Sequence, residues 1–198
     1  MKLIEKDKIT PESELVDTVI NKDVRRGLQC LPENYIDMII TSPPYWGLRN
    51  YGVEGQIGQE SSPEKYVETM RSVFSAARRV LKDTGTLWLN LGDTYMSGGS
   101  PSRHFGYADD KNKKGRNIDF HEPQTNKHET IKPKDLVGIP WRVALALQQD
   151  GWYLRSDIIW HKPNAMPESA QDRPTRDHEY IFLFSKNQKY YYDADSIR

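Results

Sequence analysis

Tyr35-Ile36-Asp37-Met38-Ile39-Ile40-Thr41, running without a break into Ser42-Pro43-Pro44-Tyr45-Trp46, is the stretch on which the fold turns. Its apolar run is short, rich in β-branched residues and ended by two prolines, which predicts a strand buried on both faces. Upstream, residues 15–20 read as a short strand, with Asn21-Lys22-Asp23 at its carboxyl end. Residues 24–31 allow two helical turns before Pro32 stops them. Downstream, Gly47, Gly52, Gly55 and Gly58 mark a loop, and Pro63 takes the favoured first position of a helix. Tyr66, Met70, Val73, Phe74, Ala77, Val80 and Leu81 recur at helical spacing and form its apolar face. Gly85 is expected to close that helix, and residues 86–91 (Thr-Leu-Trp-Leu-Asn-Leu) form a further strand. Strand, helix, strand, helix, strand is the order of an α/β domain with a mostly parallel sheet.

The remainder extends the pattern after one interruption. Residues 97–133 are rich in Gly, Ser, Asn, Lys and Asp, lack periodicity and include the basic run Lys111-Asn112-Lys113-Lys114-Gly115-Arg116. A segment of that length inside a domain is read as a flexible insertion loop. Its acidic neighbours Asp109, Asp110, Asp119 and Glu122 dilute the basic field, so a solvated loop competes evenly with a DNA-contacting arm. A helix over 140–149, a strand over 152–160 and a strand over 179–185 follow. Lys186-Asn187-Gln188 is read as a turn into Tyr190-Tyr191-Tyr192.

The chain of 198 residues has 28 basic and 28 acidic side chains, so bulk charge neither favours nor disfavours a nucleic-acid partner. Cys30 is the only cysteine, which rules out an internal disulfide, and the five scattered histidines have no zinc spacing; no metal is expected. No stretch has the length of a membrane span, and residues 1–10 carry no signal-like apolar run, so a cytosolic protein is expected.

In open parallel sheets ligands sit beyond the carboxyl ends of the strands. Asp23, Ser42 to Trp46 and Asn90 to Asp93 all fall at such ends and are expected to converge on one rim. The chemistry of Ser42-Pro43-Pro44-Tyr45 is specific. An exocyclic base amine is a poor nucleophile because its lone pair is delocalised into the ring. Acceptors gripping both N–H groups favour the pyramidal form, and the Ser42 hydroxyl and Pro43 carbonyl suit that task. The two prolines stiffen the backbone that aims the carbonyl. Tyr45 offers a face on which a flipped-out base can stack. Positioning and polarity then carry the reaction without a covalent intermediate.

Thr41-Ser42-Pro43-Pro44-Tyr45-Trp46 resembles catalytic motif IV of the amino-group DNA methyltransferases. The longer string to Gly52, Gly85 to Asp93, Asp157 to Asn164, and Pro167 through Arg173-Pro174-Thr175 to His178-Glu179 resemble the same family in order. The position of motif IV near the N-terminus implies the β circular order. The resemblance implies a Rossmann-like methyltransferase fold, mostly parallel with an antiparallel C-terminal strand. It also implies S-adenosylmethionine as cofactor and double-stranded DNA as substrate, in a bacterial, archaeal or phage setting such as restriction-modification. By resemblance, Ser42, Pro43, Pro44 and Tyr45 are catalytic, and Tyr45, Trp46 and Asn164 bind the base. Asp23 contacts the cofactor's adenine amine, and Asp93 lines its pocket. Serine at position 42 leans the target towards cytosine N4, with adenine N6 as the alternative.

The chain departs from that family in one respect. No Phe-x-Gly-x-Gly loop, which holds the methionine part of the cofactor, occurs in residues 1–198, nor does a target-recognition segment. The expectation is a single catalytic part of an incomplete fold, completed by a missing C-terminal segment or a second polypeptide. An inactive fragment that only binds DNA or a partner is the reading of another class. Plainer readings stand beside these: Asp23 as a turn former, Cys30 as a small buried residue, and Trp141, Trp152 and Trp160 as core.

Overall fold

In the computed structural model, which describes residues 2–4, 15–96 and 128–198, a helix runs directly into the central strand of a mixed sheet. Among the described residues the elements are β1 (Lys2–Ile4), β2 (Thr18–Ile20), α1 (Val24–Gln29), β3 (Ile36–Thr41), α2 (Pro63–Val80), β4 (Leu81–Leu91), α3 (Ile139–Gln149), β5 (Tyr153–His161), β6 (His178–Ser185) and a closing 3-10 turn (Asp195–Ile197). β3, β4, β6 and β5 form one sheet in that order, while β1 and β2 pair separately and parallel. β3 runs parallel to β4, and β6 lies antiparallel between β4 and β5. The expected antiparallel C-terminal strand is therefore an interior strand of this sheet.

α2 forms for local reasons. The Ser62 hydroxyl accepts from the Lys65 N–H as N-cap, and Pro63 follows at the first position. Tyr66, Met70, Val73, Phe74, Ala77 and Val80 are all buried along one face, which packs on α3, α1 and β4. On the sheet, Leu87, Leu89 and Leu91 of β4 stand opposite Phe184, Phe182 and Tyr180 of β6. Leu87, Leu89, Leu91, Phe182 and Phe184 are wholly enclosed. Alternation does the rest: Trp88 and Asn90 point to the opposite face and stay half-buried.

Four expectations are corrected. β3 is not buried on both faces: Met38 and Ile40, which share one face, are 52% and 71% exposed, so among the described residues nothing covers that face. Gly85 does not close α2. The helix ends at Val80, β4 starts at Leu81, and residues 82–85 bulge between the Ile36–Leu81 and Met38–Thr86 pairs. A Cβ at Gly85 would lie 2.6 Å from Leu81 Cγ, so the bulge requires glycine for close approach. Trp152 is core, but Trp160 on edge strand β5 is 58% exposed and Trp141 is 37% exposed against Tyr180 and Phe182. Cys30 is half-exposed at the α1 C-cap, its thiol donating to the Arg26 carbonyl. The basic run 111–116 lies outside the described residues.

Candidate active site

Ser42-Pro43-Pro44-Tyr45 leaves the carboxyl end of β3, and Asn90 to Asp93 spans the end of its parallel neighbour β4. Two of the three predicted stretches therefore meet. The Tyr45 hydroxyl donates to Asn90 Oδ1 at 2.7 Å, within reach also of Glu179 Oε2 at 3.1 Å, and Ser42 Oγ donates to the Tyr45 hydroxyl at 3.2 Å. The ring is braced from behind: a Cβ at Gly92 would lie 2.6 Å from Tyr45 Cδ2 and Cε2, so only glycine lets the ring rest on that backbone. Burial, with the Glu179 charge nearby, pushes the Tyr45 phenol up to about 12 although the Ser42 hydroxyl pulls the other way. Tyr45 is a neutral, fixed donor throughout the physiological range.

The carbonyls of the motif are sorted by their partners. Buried Tyr66 donates its hydroxyl to the Pro44 carbonyl at 3.0 Å, and Leu48 N–H reaches the Tyr45 carbonyl at 3.4 Å. Among the described residues no donor reaches the Pro43 carbonyl. Ser42 is exposed and Pro43 half-exposed, and the Ser42 hydroxyl and the Pro43 carbonyl both keep acceptor capacity. Tyr66→Phe is expected to cost about 1 kcal/mol, one unsatisfied carbonyl's worth, read as a lower urea midpoint at unchanged slope.

Trp46 is 2% exposed and its indole N–H donates to the Glu60 carbonyl at 2.9 Å, while Gly47 N–H meets the Gly58 carbonyl at 2.8 Å. Trp46 thus anchors the loop between β3 and α2, and its ring faces are taken up by the core.

Glu179 and Lys162 carry no mark as site residues in the sequence, yet both belong to the cluster. Lys162 Nζ holds Glu179 Oε1, and the carboxylate is 20% exposed. Partial burial works to raise the Glu179 pKa, but the hydrogen bond and charge of Lys162, with Tyr45 and Asn90, outweigh it and hold it below the usual glutamate value. A lowered folded pKa stabilises above the unfolded value of 4.5, and that contribution is lost as pH falls through the folded one. Glu179→Gln is therefore expected to flatten the loss of stability with acid below about pH 4.5, compared by thermal melts of both proteins.

Asp93 has a capping role. Gly138, just before α3, has no side chain with which to cap it. Asp93 Oδ1 instead accepts from Ile139 N–H and from Thr94 N–H, each at 2.9 Å. Its other oxygen faces Arg176 Nη1 at 3.7 Å, with the Asp93 side chain 2% exposed. Arg176 belongs to the loop between β5 and β6, which Arg173 also pins by stacking over the Tyr95 ring at 3.9 Å. Asn164, near the start of that loop, is exposed.

Asp23 stands apart from the Tyr45 cluster. It follows β2 on the separate two-stranded sheet, and no hydrogen bond or ion pair among the described residues joins it to Ser42, Tyr45 or Asn90. It caps α1, accepting from Arg25 N–H and from the Arg25 guanidinium at 2.8 and 3.0 Å. The Arg25 hydrogen bond holds its carboxyl below the usual range. Asn21, Lys22, Asp23, Arg26, Gln29 and Cys30 line an open cleft of about 510 Å³. A carboxylate offers about four lone-pair positions, so three hydrogen bonds from Arg25 leave Asp23 room for one more donor.

Comparison with known proteins gives the family and the fold. Residues 36–198 match the model of the N6/N4 methyltransferase family, described as DNA methylase. Over 180 residues the chain is 56% identical to the type II methyltransferase M.SmaI of Serratia marcescens, covering 91% of this chain and 59% of that protein. It is 52% identical to M.Cfr9I of Citrobacter freundii over 181 residues, 91% of this chain and 58% of the relative. The chain thus spans rather less than two thirds of the length of these relatives. Among solved structures, the PvuII cytosine-N4-specific DNA methyltransferase matches with a TM-score of 0.58 at 16% identity, over 89% of this chain and 51% of that one. A protein of Thermus thermophilus described as a DNA modification methylase, complexed with S-adenosyl-L-methionine, matches with a TM-score of 0.54 at 19% identity, over 88% of this chain and 55% of that one. At such identities these two matches establish the Rossmann-like methyltransferase architecture. Motif, fold and sequence relatives together place the chain in the N6/N4 amino-methyltransferase family of DNA methylases.

Proposed function

We propose that this chain carries the base-binding and methyl-transfer face of a DNA methyltransferase acting on the N4 amine of cytosine. The observation that carries the reading is the sorting of acceptors at the end of β3. The Pro44 carbonyl is occupied by Tyr66, while the adjacent Pro43 carbonyl meets no donor among the described residues and follows directly on the exposed Ser42. Two acceptors so placed grip both N–H groups of one amine and direct its lone pair away from themselves, towards an incoming methyl group. Tyr45, held by its hydroxyl and braced on Gly92, presents its ring to a base extruded from double-stranded DNA. Positioning and electrostatic complementarity supply the rate, since a neutral tyrosine and a serine provide no nucleophile to the base.

S-adenosylmethionine is the methyl donor this reading requires; when bound, it supplies an electrophilic methyl group. Asp23, with its spare acceptor position in the cleft beside α1, is the residue that would hold the adenine amine. Cytosine rather than adenine rests on serine at position 42, because the acceptors themselves touch only the amine the two bases share.

The test is the DNA of a host without this modification, expressing the chain alone and joined to the portion of its relatives that it does not span. N4-methylcytosine on nucleoside mass spectrometry is the expected product. N6-methyladenine moves the target to adenine. Modification on carbon, or none in either form while both fold, overturns the reading.

A further inference from the structure

We infer that Glu179 and Asn90 are positioning residues that fix the direction of the Ser42 hydroxyl, acting through the hydroxyl of Tyr45; the inference rests on the methyltransferase reading above.

Hydrogen-bond polarity assigns the roles. Asn90 Nδ2 donates to the Tyr180 carbonyl at 3.1 Å, which turns its Oδ1 towards Tyr45. Glu179 is an ionised carboxylate held by Lys162 and is acceptor-only. The Tyr45 hydroxyl therefore meets two groups that only accept, at 2.7 and 3.1 Å, and its single proton is committed to them. The third group at that oxygen, Ser42 Oγ at 3.2 Å, is left with one role, that of donor. A serine hydroxyl has one proton and two acceptor positions. With the proton spent on Tyr45, what Ser42 shows to solvent is lone pairs. That is the polarity needed to accept an N–H from a base amine, and the wrong one for a ring nitrogen or carbonyl that needs a donor. The same chain works against bases presenting an acceptor at that point, so it contributes to selecting an amine as well as to holding it.

Neither residue need touch the base. Their reach is long-range in sequence, with Glu179 lying 134 positions from Tyr45. Lys162 enters as the group that keeps Glu179 ionised, and the other charged and titratable groups around the cluster are His178 and Asp177 on β6 and its preceding loop, His161 on β5, and Arg49 beyond the motif.

The experiment has one arm without catalysis and one with it. Fluorotyrosine is placed at position 45 of the chain and titrated by fluorine NMR. Ser42→Ala is expected to raise its pKa, because a donor to the phenolate is lost, and Glu179→Gln to lower it, because a neighbouring negative charge is lost. A fall in Ser42→Ala would show that Tyr45 donates to Ser42 and would overturn the inference even if methyl transfer is real. In the second arm, single-turnover methyl transfer to DNA is compared for Tyr45→Phe, Glu179→Gln and the double variant, in the form of the protein that modifies DNA. Each single change is expected to slow transfer about tenfold, the worth of one hydrogen bond, with DNA affinity held within about threefold. The double variant is expected to be no slower than Tyr45→Phe, since Glu179 acts through that hydroxyl. Multiplying losses would mean that Glu179 acts independently and would reject the pathway. Absence of transfer in the wild type would instead strike the methyltransferase reading, while the titration still decides the hydrogen-bond chain.

Discussion

Gly92→Ala is expected to slow methyl transfer about a hundredfold, the scale of a misplacement of about 1 Å at a reacting centre. The new Cβ would stand 2.6 Å from two carbons of the Tyr45 ring, inside any van der Waals contact, so the ring must shift. Its hydroxyl cannot follow without leaving Asn90 and Glu179, and Ser42 loses its hydrogen-bond partner in the same movement. The backbone itself tolerates alanine, because Gly92 is not in the left-handed region. Stability should therefore fall only by the cost of overpacking, about 1–3 kcal/mol. The check is single-turnover transfer beside a denaturation curve. A variant that transfers at the wild-type rate would show that the Tyr45 ring position is unimportant to the reaction.

Asp93→Ala is expected to act on the fold first. Asp93 is almost wholly buried, caps α3 from a distant strand end, and faces Arg176, whose Nη1 is buried without a hydrogen bond. Removing it leaves a buried guanidinium nitrogen without its counter-ion and the first N–H of α3 without an acceptor. Breaking such a pair costs about 3 kcal/mol. For a chain of this size that corresponds to a fall in Tm of roughly 6–12 °C. The loop between β5 and β6 should loosen with it, read as faster hydrogen exchange over residues 164–177. A stable Asp93→Ala protein would return Asp93 to the role of a free pocket residue.

Local pattern carried most of the architecture. The apolar face of α2 was legible from Tyr66 to Val80, with only Leu81 passing to β4, because helical spacing and the Pro63 start depend only on near neighbours. The burial of β3 was not: its β-branched run has the same composition whether or not something covers Met38 and Ile40. Gly85 misled because a glycine after a helix has two uses, a C-cap and a close approach, and only the packing of Leu81 selects the second. At the site, Ser42, Pro43 and Tyr45 stood out because their chemistry is compressed into adjacent positions. Asn90 was marked only by its place at a strand end, and Glu179 was given no role, since a glutamate at the start of a strand reads as a solvated charge. Their meaning arises only when β6 inserts beside β4 and brings both to one hydroxyl. Trp46 shows the converse: adjacency to the motif suggested a base contact, whereas the chain turns its ring into the core.

The most direct test of the account is transfer of labelled methyl from S-adenosylmethionine to unmethylated DNA, with the product nucleoside identified. It should be run on wild type and Ser42→Ala, and on DNA carrying 5-fluorocytosine, which traps enzymes that attack the ring. Label on N4 of cytosine, a large loss in Ser42→Ala and no covalent protein–DNA adduct are the results predicted. Label on ring carbon 5, or a trapped adduct, would contradict direct transfer to an amine gripped at the end of β3.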